Sequence, residues 1–124
     1  MNVIDSSGWL EYFTDGENAG IFASVIGDIP NLLVPVICLY EVYKRITQLM
    51  DIPSALTNIG DMLGGQVIDI DQSIALSAAQ ISMDSNLAMA DSLILATARA
   101  HQAVLWTQDE HFKDILGVQY IKKG

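Results

Sequence analysis

The sequence predicts an α/β fold: a single domain over residues 1–124, layered α/β/α around a central, mainly parallel sheet. Three observations point there. Short apolar, often β-branched runs alternate with longer helical patterns, the arrangement that builds parallel sheets covered by helices on both faces. With 124 residues, 51% of them hydrophobic, the chain can bury a core without disulfides or zinc. No linker, repeat or low-complexity segment divides it.

The elements follow in order. NVI at 2–4 is a short strand running into the turn DSSG. Asp5 or Ser6 caps a helix through SGWLEYF, which buries Trp9, Leu10 and Phe13. DGEN interrupts, and NAGIFASVIGD is the second helix. LLV at 32–34 is the second strand, stopped by Pro35. VICLYEVYKRITQLM is a long amphipathic helix with an apolar stripe of Leu39, Val42, Tyr43, Ile46, Leu49 and Met50. Pro53 opens a helix, PSALTNIGDML, which Gly64 and Gly65 end. QVIDI is the third strand, and Asp71 caps a helix reaching about Ile81. After MDSN comes the helix of NLAMADSLILATARAH, residues 86–101. AVLW at 103–106 is the fourth strand, TQDEHFKDIL a short capped helix, and VQYI an edge strand before a KKG tail. Trp9, Tyr12, Tyr40 and Tyr43 fall on helical spacings suited to a core or a dimer interface, and Trp106 reads as core.

Composition excludes several classes. Cys38 is the only cysteine and lies in the apolar run ICLY, so it reads as an inert core residue in a reducing, cytoplasmic protein. No basic segment precedes an apolar stretch as in a secretory leader. LLVPVICLY is far shorter than the ~20 residues of a membrane span. A net charge of −9 argues against broad, avid nucleic-acid binding.

Four acids stand out, and each has a local role open to it. Asp5 follows the first strand and can cap a helix. Glu41 can pair with Arg45 one turn on. Asp91, the only charged residue between Leu87 and Ala98, can cap its helix by accepting from Leu93 or Ile94. Asp109 can cap the turn after the fourth strand. Their joint placement is less local. Asp5 and Asp109 follow strands whose carboxyl ends line up in a parallel sheet, where ligands bind at the reversal of strand order. Four carboxylates in one small volume need a counter-charge, and hard divalent cations such as Mg²⁺ or Mn²⁺ supply it. Such a centre can activate water against a phosphodiester. Ser6 and Thr107 could hold a water or a phosphate oxygen, or simply bond within their turns.

The chain resembles the PIN domains, specifically the toxin ribonucleases of VapBC toxin–antitoxin pairs. NVIDSSGWLEYF, VPVICLYEVYKRI, MADSLILATARAH and LWTQDEHFKDI resemble the family's four motifs, in order and over nearly the whole chain. The resemblance implies a PIN-like fold and a Mg²⁺- or Mn²⁺-dependent endoribonuclease with Asp5, Glu41, Asp91 and Asp109 as its acidic quartet. It also implies an antitoxin partner that blocks the crevice, and a toxin homodimer. Position 111, where a further acid sometimes stands, is His, so no fifth ligand is expected. His111 reads as a partly exposed residue of a short helix.

Two divalent ions would bring −9 to −5, still acidic. RNA would then rest on the six basic residues, with Lys44 and Arg45, one turn beyond Glu41, the best placed. Binding is expected to be weak and metal-assisted, with a shallow salt dependence. Two other readings compete. A receiver-type phosphoacceptor domain would use Asp69 or Asp71 after the third strand, but it needs a Lys after its last strand, and the fourth ends in Thr107-Gln108-Asp109. A PIN scaffold used only for binding would not need the intact quartet.

Overall fold

A computed structural model describes residues 1–124. Five strands, β1 (Asn2–Ile4), β2 (Leu32–Pro35), β3 (Gln66–Ile68), β4 (Val104–Thr107) and β5 (Val118–Tyr120), form one sheet in the order β3-β2-β1-β4-β5. Every pairing is parallel. Six helices accompany it: α1 (Ser6–Phe13), α2 (Ala19–Ile26), α3 (Val36–Leu49), α4 (Ile52–Met62), α5 (Gln72–Ser85) and α6 (Met89–Ala100). This is the α/β/α arrangement that the alternating pattern predicts.

The inner strands are apolar because helices leave them no wet face. Val3, Ile4, Leu32, Leu33, Val34 and Leu105 are all buried, together with Trp9, Phe22, Ile94, Leu95 and Phe112. From β1 the chain steps outward through β2 to β3. It then returns over the sheet through α5 and α6 to β4, on the other side of β1. Strand order therefore reverses between β1 and β4, and a crevice opens beyond their carboxyl ends.

Several expectations change in detail. The α3 face that packs inward is Cys38, Val42 and Ile46, spaced four apart, while Tyr43, Leu49 and Met50 of the expected stripe are exposed. Tyr43 instead borders a groove of about 610 Å³, with Leu39, Tyr40 and Ile59 along it. α5 runs on to Ser85, because Asn86 takes the left-handed turn (φ 56°) that ends it. TQDEHFKDIL makes only a 3₁₀ turn, Glu110–Phe112, since β4 extends to Thr107 and Asp114 adopts φ 66°. Tyr40 is exposed rather than core. Trp106 is half-buried, and its indole N–H donates to Asn2 Oδ1 at 3.0 Å. Cys38 is fully buried, and burial pushes its thiol far above the ordinary range, as an inert core cysteine requires. No helix is long and apolar enough to cross a membrane.

Candidate metal centre

The site begins with the turn DSSG. Asp5 leaves β1 in extended conformation and caps α1, accepting from Gly8 N at 3.0 Å. Gly8 is required by close approach: a Cβ there would lie 2.6 Å from Ile4 Cγ2 and 2.8 Å from Phe22. Two hydroxyls complete the hold on Asp5. Ser7 donates to Oδ1 at 2.8 Å, and Thr107, from the end of neighbouring β4, donates to Oδ2 at 2.6 Å. Thr107 Oγ1 in turn accepts from the Asp109 amide at 2.9 Å. One buried threonine thus fixes the acid after β1 and the acid after β4 against each other.

Asp5 is only 2% exposed. That burial pushes its carboxyl up to about 7, against the pull of Thr107, Ser7 and Gly8 and with a further push from the charge of Asp109. Asp91 sits in the first turn of α6. The helix starts from Ala88, which offers no capping group, so Asp91 is not the cap. Burial, then the charges of Asp109 and Glu41, raise its carboxyl to about 6, while His111 opposes them. Glu41, on α3, accepts from Ser6 Oγ at 2.6 Å and makes no ion pair with Arg45. Asp109 caps the 3₁₀ turn, accepting from His111 N at 2.9 Å, and also meets His111 Nδ1 at 2.8 Å.

Donor atoms of Asp91, Asp109 and His111 all lie within 4.8 Å of one another. Asp5 and Glu41 stand outside that set. They remain close enough for Asp5 to feel the charge of Asp109, and for Glu41 to act on Asp91. Carboxylate oxygens and an imidazole nitrogen in an excess of negative charge suit a divalent cation. His111 is the residue that sequence reasoning left out, and its signal was the spacing D-E-H, which puts the ring back over the capping acid. Ser7 was also missed. Ser6 and Thr107, expected toward substrate, instead spend their hydroxyls on Glu41 and on Asp5, and Thr107 is fully buried. Lys44 lies with Nζ 5.8 Å from the Tyr40 ring centre, and Arg45 is exposed. Asp69 is exposed after the edge strand β3, not after a central one, which removes the phosphoacceptor of the receiver reading.

Fold and site together define a class: an α/β protein that gathers carboxylates at the switch point of an all-parallel sheet. The chain belongs to the PIN domain family, whose sequence model matches residues 3–117. No curated protein matches the sequence. Among solved structures it is similar to a chain of a toxin–antitoxin complex from Klebsiella pneumoniae, with a TM-score of 0.77 at 21% identity over 98% of this chain and 100% of that one. It is also similar to a chain of VapBC2 from Rickettsia felis, solved bound to promoter DNA, with a TM-score of 0.76 at 13% identity over 97% and 96%. A third is a sarcin–ricin-loop-cleaving VapC toxin of Mycobacterium tuberculosis, with a TM-score of 0.75 at 12% identity over 90% and 92%.

Proposed function

We propose that this protein is a Mg²⁺- or Mn²⁺-dependent endoribonuclease, the toxin of a type II toxin–antitoxin pair. The observation that carries the reading is the cluster of Asp91, Asp109 and His111 within 4.8 Å, backed by Asp5 and Glu41 at the sheet's switch point. Membership of the PIN family and the likeness to toxin chains, one of them described as cleaving an RNA loop, support the same reading.

In this reading Asp91 and Asp109, with Asp5 and Glu41, hold the metal, and the His111 imidazole stands beside them as a further donor. When bound, the ion would activate a water and stabilise the leaving oxygen of an RNA phosphodiester. The rest falls to the chain itself. Ser7 and Thr107 keep Asp5 in register with Asp109, and Ser6 holds Glu41 toward the crevice. Arg45 and Lys44 attract substrate phosphate from α3. The partner is an antitoxin that covers the crevice, the toxin acts as a homodimer formed by single-domain chains, and its place is the cytoplasm.

Labelled RNA incubated with the isolated chain and Mn²⁺ tests the proposal. Cleavage is expected, and EDTA or Asp91→Asn abolishes it. Cleavage that survives either would sink the mechanism.

A further inference from the structure

The acidic centre lies between two arms, of which only one carries lysine or arginine. On one side a cavity of about 630 Å³ runs from Asp109 and His111 to the chain's end, lined by Tyr120, Lys122 and Lys123. A second cavity, of about 230 Å³, shares Ser7, Gln108 and Lys123 with the first and ends at Arg45. On the other side a cavity of about 320 Å³ runs from Asp91 and His111 to Asn86, with no lysine or arginine on its walls.

Arg45, Lys122 and Lys123 are half of the six lysines and arginines in this acidic chain. None of the six lies within salt-bridge distance of an acid, although fifteen acids are available; the one contact of that kind joins His111 to Asp109. The backbone that carries Lys122 is also held in place. Ile121 N donates to the Thr107 carbonyl at 2.8 Å, and buried Asn18 donates to Gln108 Oε1 at 3.0 Å and to the Lys122 carbonyl at 3.3 Å. Glu110 and Glu11 line the arm as well, but Glu11 accepts from the Asn18 amide at 3.0 Å, which ties its carboxylate to the backbone. Unpaired cations beside an acidic centre suit the phosphates of a nucleic-acid backbone. A half-buried tyrosine beside them offers a face to a base.

We propose that this arm seats the RNA backbone on one side of the scissile phosphate. The strand leaves the acidic centre along Lys122 and Lys123 toward Arg45, while the opposite arm contacts no phosphate. The inference rests on the nuclease reading and adds to it the course of the substrate. It also moves the weight of RNA binding from α3 alone to the β5 end of the chain.

Fluorescence anisotropy of a labelled single-stranded RNA of about 12 nucleotides tests it. The Asp91→Asn protein separates binding from turnover. Lys122→Gln with Lys123→Gln is expected to raise Kd about tenfold at ~0.1 M salt, and to flatten the slope of log K against log salt by about 1.4, at ~0.7 per phosphate lost. Arg99→Gln with Lys113→Gln makes the same change in net charge outside these cavities and should move Kd less than about twofold. Equal loss in both pairs, or none in either, overturns the proposal. Cleavage of the same RNA by the unsubstituted protein scores the nuclease reading separately. Cleavage with affinities insensitive to Lys122 and Lys123 fails the arm's role alone. Affinities that grade as expected without any cleavage fail the nuclease reading alone.

Discussion

Asp91 carries a charge that nothing in its own helix compensates. It does not cap α6, it is half-buried, and its neighbours across the crevice are Asp109 and Glu41. Replacing it with Asn removes repulsion and leaves the backbone bonds of the helix intact. Metal-free Asp91→Asn is therefore expected to melt at or above the parent temperature. A fall of more than about 5 °C, roughly 1 kcal/mol, would return the residue to a structural role. Thr107 behaves oppositely. Thr107→Val strips a buried Asp5 of one donor and the Asp109 amide of its acceptor, at a cost of about 1–3 kcal/mol by the usual penalty for orphaned groups. Thr107→Ser keeps both bonds and should restore stability and whatever activity Val removes, as thermal scans and cleavage rates would show. The acids could be picked out in the sequence because carboxylates after strands and among apolar helix residues are conspicuous. The directions of the hydroxyls could not. Ser6 and Thr107 find partners 35 and 102 residues away, and only the folded chain brings those partners near.

At the level of elements, the strands and most helices could be read from apolar periodicity and from caps that the sequence shows plainly. Asp5 and Asp71 each accept from the amide three residues on, as does Asp51, a cap the reading from Pro53 passed over. The α3 stripe was misjudged for a definite reason. A helical wheel shows that Tyr43, Leu49 and Met50 are apolar, but not which flank meets the sheet and which is left exposed. The 3₁₀ turn after β4 was overlong in expectation because the caps were recognised but the left-handed residue at Asp114 was not. The junction of β1 and α1 is tight. Gly8→Ala would drive a methyl into Ile4 and Phe22 and pull the amide that holds Asp5. The expected cost is about 1–3 kcal/mol, typical of overpacking, with a parallel loss of divalent-ion affinity measurable by calorimetry. A variant that melts like the parent would show that the junction has room the geometry denies.

At the level of the whole molecule, acidity opposes folding until a cation arrives. The net charge is −9, and two of its carboxyls are held in a site that resists ionisation: Asp5 up to about 7 and Asp91 up to about 6, both mainly by burial. In the unfolded chain these aspartates ionise near 3.9. Between about pH 4 and pH 7 the native state therefore binds more protons than the unfolded state, and stability falls as pH rises through that window. Divalent ions bind the ionised form, so their stabilising effect has the opposite slope. In EDTA the melting temperature should fall from about pH 5 to about pH 7.5. Mg²⁺ or Mn²⁺ should recover much of it at the higher pH and little at the lower. Asp5→Asn separates the site from the diffuse charge of the surface, because it should flatten the metal-free fall while leaving any part due to general repulsion. A melting temperature that climbs with pH in EDTA would mean that the acids are already paired in the free protein. The crevice would then lack the excess negative charge that calls for a metal.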